Sequence, residues 1–181
     1  MSITKSRGAS RALMIVVIVV CLFGGGVRSV AQRAKRAEKY FYTAKEGQSG
    51  QADFNARISL AANLKVVAGR YLSENDAVLV GLDTAVTQAQ AAEDVRQIVT
   101  ADAALGTAFE TAYGVLGNLS LSSADSNYRQ ELHDDFASYG YILRHSTYNG
   151  QATDFNRNVL GSFPGSAWAS LFHIEALPLF Q

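Results

Sequence analysis

The feature that most constrains this chain is an absence: of 181 residues only Pro164 and Pro178 are proline, so the first 163 positions have none. Proline removes a backbone donor and fixes φ, and it punctuates the frequent turns on which sandwiches and barrels depend. So long a stretch without it points to α-helix, and an apolar content of 48% supplies enough material for one core. The predicted fold class is all-α: an antiparallel bundle of three to four long helices, preceded by one amino-terminal transmembrane helix.

Helix breaks are sparse and almost evenly placed. They fall at Gly47-Gln48-Ser49-Gly50, at Ser73-Glu74-Asn75-Asp76, from Gly117-Asn118 to Ser123, and at Phe163-Pro164-Gly165. Arg28–Leu72 and Asn75–Leu119 each span 45 residues and Ser122–Phe163 spans 42. Each arm would be about 65 Å long if fully helical, the matching that a bundle requires. The Gly47–Gly50 stretch is then a kink or short loop within the first arm. Apolar residues recur in steps of three and four along each arm. The first carries Phe54, Ile58, Ala61, Leu64, Ala68 and Tyr71. The second carries Val78, Leu82, Val86, Ala89, Val99, Leu105, Phe109, Ala112 and Leu116. The third carries Tyr128, Leu132, Phe136, Tyr139, Ile142, Leu143, Ala152, Phe155, Val159 and Phe163.

Charge divides the chain. Residues 1–39 hold eight basic side chains against Glu38, a net of +7, while the remainder is −7. Between Arg11 and Arg28 lies Ala12–Val27, sixteen residues without a charge. The run falls short of the usual ~20 residues for a bilayer about 30 Å thick, but flanking cations that reach the head groups and local thinning allow it to span. Residues 1–11 form a basic tail, 12–30 the transmembrane segment, 31–165 the bundle and 166–181 an apolar tail. Arg28, Arg33, Lys35, Arg36 and Lys39 are predicted to contact anionic lipid head groups. The acidic remainder lacks the basic face of a nucleic-acid binder. A second reading remains open: Lys5, Arg7 and Arg11 begin a signal peptide cleaved after Ala31, which releases a soluble periplasmic or secreted module. Five basic residues after the run against three before it favour a cytoplasmic bundle at the inner membrane. The single Cys21 excludes an internal disulfide, and Val20 before it argues against a lipoprotein signal.

The third arm resembles a known family. Tyr148-Asn149, Phe155-Asn156 and then Phe163-Pro164 are similar to the carboxy-terminal signature of the LemA family. Asn63-Leu64 with Val67, Tyr71, Asn75 and Leu79, the Ala104–Leu116 stretch, Leu132 with Arg144, Leu171-Phe172 and Phe180 follow the same order, so the resemblance covers residues 12–181. It implies a short tail, one transmembrane helix and a helical bundle in a bacterial envelope, with no established reaction or cofactor; related proteins have been tied to membrane remodelling and organelle formation. The chain departs from the pattern at Gly47–Gly50, where a continuous helix is usual, and at Ala62-Asn63, where a Pro-Asn step is common.

No motif for catalysis emerges. A di-metal bundle needs paired Glu-x-x-His steps, and the chain has none. His133 and His145 are twelve residues apart, about 120° around one helix, and are expected to face solvent. Asp134 and Asp135 with Glu131 read as a solvated face. Asn149 and Asn156, seven apart, are expected to form a structural polar seam with Tyr148, Phe155 and Asn63, with Asn55 a further amide partner, fixing helix register. The tail's Trp168, Leu171, Phe172, Leu177 and Phe180 should fold back over the bundle or serve as an interfacial segment. These observations predict a non-enzymatic membrane scaffold without a cofactor or metal, whose partners are the bilayer, other proteins and a second copy of the chain.

Overall fold

The computed structural model describes residues 7–43 and 49–181, and every regular element among them is helical. The elements are α1 (Arg7–Tyr42), α2 (Gly50–Ala68), α3 (Ala77–Gln90), α4 (Val95–Gly117), α5 (Ser123–Arg144) and α6 (Thr147–Asp154). A π-helical stretch (Phe155–Leu160) continues α6, and α7 (Gly165–Phe172) follows. Four helices start on side-chain caps that satisfy their free N–H groups. Ser49 accepts from the Ala52 N–H, Asp76 from Val78, Asp94 from Gln97 and Ser122 from Asp125.

Two compact units divide the chain: Met1–Arg36 with Asp154–Ala176, and Ala37–Thr153 with Leu177–Gln181. In the second, α2 packs on α3, α4 and most extensively α5, while α3 packs on α4. Leu64, Leu82, Leu105, Phe109, Leu116 and Leu143 are completely buried at its centre. Such side chains contribute about 1.5–3 kcal/mol each. Its chain end is also internal. Phe180 is buried, stacks on Phe41 at 5.7 Å and meets the Tyr148 ring edge-on at 6.0 Å.

In the first unit Val30 and Phe155 are buried, and Trp168 of α7 lies against Gly26 of α1. A Cβ at Gly26 would stand 2.6 Å from the indole, so only glycine admits the ring. Phe163 at 85% exposed, Leu171 at 55% and Phe172 at 45% remain open.

Three expectations are corrected. The middle arm is two helices, because residues 91–94 break it and Asp94 caps α4. The break resets the helical phase, so Ile98 is buried where Val99 was expected. In the third arm Tyr128 and Ile142 are exposed because they lie off the face of α5 that buries Leu132, Phe136, Gly140 and Leu143, and Phe163 is exposed beyond the end of α5 at Arg144 and the looser π winding from Phe155. Of the Gly47–Gly50 break, Ser49 and Gly50 cap and open α2, while residues 44–48 lie outside the described residues. Among the described residues no helix is long and apolar enough to cross a membrane. The backbone of Ala12–Val27 is helical within α1, but the side chains of Ala12 and of residues 15–24 lie outside the described residues.

Candidate functional site

Helical spacing turns two charged residues into the bundle. Arg57 follows Phe54 by three positions and precedes Ala61 by four, so it shares the buried face of α2. Asp102 stands four after Ile98 and three before Leu105 on the buried face of α4. Their side chains are 8% and 9% exposed, with Arg57 Nε 3.0 Å from Asp102 Oδ1. Neither of these two atoms forms a well-aligned hydrogen bond, which makes the contact an ion pair off the hydrogen-bond line. The guanidinium carbon lies 4.0 Å from the centre of the Phe136 ring of α5, a cation–π contact.

Two glycines make room for Arg57. A Cβ on Gly140 would collide with Arg57 Nη1 and stand 3.4 Å from Arg144 Nη1, while a Cβ on Gly106 would stand 3.5 Å from Arg57 Nη2. Above them opens a cleft of about 660 Å³ lined by Arg57, Asp102, Gly106, Glu110, Gly140, Arg144 and Gln181, among others. Arg144 Nη1 donates to the Gln181 carbonyl at 3.5 Å. Burial holds Arg57 below its ordinary basicity, with Asp102 pulling the other way and Arg144 adding repulsion. Burial likewise pushes the Asp102 carboxyl above its ordinary range, opposed by Arg57 and Arg144. Desolvation is the larger cause for both partners, so the pair is not fully compensated by its own attraction.

A second polar cluster is closed on itself. Asp125 Oδ2 accepts from the Tyr71 hydroxyl at 2.5 Å and from Ser122 Oγ at 3.0 Å, while Oδ1 pairs with Arg70. The Tyr71 hydroxyl also accepts from the Ser122 N–H at 3.0 Å. A third cluster holds the chain end. Asn149 Nδ2 donates to the carbonyls of Arg144 and Phe180, each at 2.9 Å, and Oδ1 accepts from the Phe180 N–H at 3.0 Å. Tyr148 donates to the Pro178 carbonyl at 2.6 Å, and burial raises its phenol well above the ordinary value.

The expected polar seam is therefore differently made. Asn63 and Asn55 are exposed, and the partners of Asn149 are backbone groups of the chain end. Tyr148 and Asn149 belong to the second unit, Phe155 and Asn156 to the first. Tyr148, at 1% exposure, is among the most buried side chains. Arg28, Arg33, Lys35, Arg36 and Lys39 are all exposed. His133 corrects the solvent-facing expectation, because it stacks on Tyr113 at 4.1 Å and is 28% exposed, with Glu110 3.4 Å from Nε2. His145 is exposed and stacks on Tyr141. Among the described residues no group of three potential metal ligands occurs.

Sequence reasoning missed Arg57 and Asp102, although each is a charge within an apolar stripe, which is a readable signal. Phe41 with Phe180 offered none, being 139 positions apart. No family model matches the chain, and no curated protein or solved structure matches it either.

Proposed function

We propose that the chain is a non-enzymatic, single-pass protein of a bacterial inner membrane. In this reading its span and basic cluster hold an acidic helical bundle at the bilayer as a scaffold for partner proteins, as the LemA resemblance implies. The observation that carries it is the continuity of α1, which runs unbroken from Arg7 to Tyr42 through the uncharged run and beyond it. Arg28, Arg33, Lys35, Arg36 and Lys39 project from the stretch that follows, all exposed. Cations so placed attract anionic lipid at up to about 1 kcal/mol each near the surface.

A further feature supports the tether. Trp168 rests on Gly26, where the apolar run ends, and tryptophan favours the bilayer interface. The competing reading is release after cleavage near Ala31, at Ser29-Val30-Ala31, which is helical within α1.

The test is membrane fractionation with alkaline extraction, followed by mass spectrometry of the mature amino terminus. The tethered reading expects an extraction-resistant chain that retains residues 12–27. A soluble chain beginning at Gln32 would establish the released module instead. As a second check, a peptide of residues 28–42 should bind anionic vesicles at low salt. Its version with glutamine at Arg33, Lys35, Arg36 and Lys39 should bind several-fold more weakly, with the gap closing as salt rises.

A further inference from the structure

We propose that α7 is a second membrane-contact element, lying along the boundary between head groups and acyl chains at the end of the uncharged run, where Arg28 begins the basic cluster. The proposal rests on the tethered reading above and uses residues of the first unit alone.

No charge occurs from Val159 to Phe172, fourteen residues that include all of α7. Within the helix Trp168, Leu171 and Phe172 stand at i, i+3 and i+4 and so share one face. The Trp168 and Phe172 rings are neighbours, their centroids 6.3 Å apart. This face begins on α1, where the indole lies against Gly26, and continues into the open, where Leu171 and Phe172 are exposed. Phe163, in the turn before the helix, is exposed as well.

The seat of α7 selects what covers that face. Gly26 stands two residues before Arg28, at the border between the uncharged run and the basic cluster. In the tethered reading that border is the head-group level, the depth that suits tryptophan and large apolar neighbours. Eight residues rise about 12 Å, too little to cross a core about 30 Å thick, so α7 lies on the bilayer without traversing it. The helix also stops short of the acid. His173 takes a left-handed φ of 52°, the Ile174 N–H returns to the Ala169 carbonyl at 3.0 Å, and the exposed Glu175 falls beyond that turn. A large aromatic side chain offers roughly 150–250 Å², so Phe163, Leu171 and Phe172 together fall short of the ~800 Å² per partner of a stable protein interface. Lipid therefore fits the face better than a second copy of the chain.

Trp168 is the only tryptophan, so its emission reports on α7 without a label. The full chain is reconstituted in phosphatidylcholine vesicles whose acyl chains carry bromine near the carbonyl end in one series and near the terminal methyl in another. Quenching about twofold or more stronger from the shallow bromines is expected, as befits a helix at the boundary. It should be the same at low and high salt, because the contact is apolar. Leu171→Ser with Phe172→Ser changes two exposed side chains, which keeps the fold, and should reduce the quenching about twofold or more; Leu171→Met with Phe172→Leu should retain it. Quenching that the serine pair leaves unchanged would overturn the proposal, since the indole beside α1 would then account for it. Stronger quenching from the deep bromines, or emission that changes with the ratio of protein to lipid as a second copy requires, would overturn it too. An unquenched Trp168 in a chain that resists alkaline extraction would overturn it and leave the tether standing. A quenched Trp168 in a chain that alkali removes would keep α7 as a lipid contact and overturn the tether instead.

Discussion

Asp125 and Asp102 both face an arginine from α2 or the turn after it, and both are nearly buried, yet their carboxyl groups shift in opposite directions. Asp125 receives Tyr71, Ser122 and Arg70, and the Tyr71 hydrogen bond above all holds its carboxyl below the ordinary value of 3.8. Asp102 has Arg57 at 3.0 Å but no aligned donor on Oδ1, and burial pushes it above that value. Two causes separate them: desolvation is the dominant influence on Asp102, whereas at Asp125 the donated hydrogen bonds outweigh a smaller desolvation. The first cluster is internally complete, whereas the second faces a cleft with part of its bonding capacity unused.

The largest effect expected is at the incomplete pair. Asp102→Ala would leave Arg57 buried without a counter-charge and should cost about 3 kcal/mol in urea unfolding. Pairing it with Arg57→Met should restore most of that, because both desolvation penalties then vanish. A single-variant loss below ~1 kcal/mol would mean that the pair is effectively solvated, and the contrast would collapse. Next comes Asn149→Leu, which orphans the Phe180 amide and carbonyl; a loss of about 1–3 kcal/mol is expected, together with faster proteolysis of the last residues.

Asp125→Asn should destabilise less and change the pH profile. A depressed acid contributes stability that is complete above its unfolded value near 3.8 and is lost as pH falls toward the folded one. Asp102, raised, has the opposite sign: its contribution is present below that value and fades as pH rises through the folded one. The variant's melting temperature should therefore decline less than the parent's between about pH 4 and pH 2. An unchanged acid limb would show that Asp125 is not what the native state loses there. The smallest effect belongs to Lys65–Asp83, 2.5 Å apart but 36% and 56% exposed, where Asp83→Asn should move unfolding by under about 0.5 kcal/mol.

Legibility in the sequence followed the range of the interactions concerned. The stripe of α2 from Phe54 to Ala68 was readable because it depends on helical spacing alone. The division between α3 and α4 was not read, although Asp94 and Gln97 signal it: Asp94 caps the Gln97 N–H at 2.8 Å, and Gln97 Oε1 accepts from Glu93 at 2.9 Å. No glycine or proline marks that break, so the apolar period was carried across it. The sequence marks the Asn149 amide as a group in need of partners, but the partner it has, the Phe180 backbone, is 31 positions away and has no side-chain signature. The cleft was hidden for a different reason. Its floor depends on two glycines, Gly106 and Gly140, whose spacing says nothing until α4 and α5 are both seen beside Arg57.

The Asp125 cluster has a consequence for the order in which the bundle assembles. Arg70 and Tyr71 leave the end of α2, and Ser122 and Asp125 open α5, so the cluster joins the two ends of the excursion that contains α3 and α4. The α3–α4 pair, linked by four residues, closes a short loop and can form early; docking α5 on α2 must first close a loop of some fifty residues. A clasp at the base of that loop is the first place where the long closure is rewarded with several bonds at once. The same four residues thus set α2 and α5 side by side at the point where the chain's longest helical detour returns.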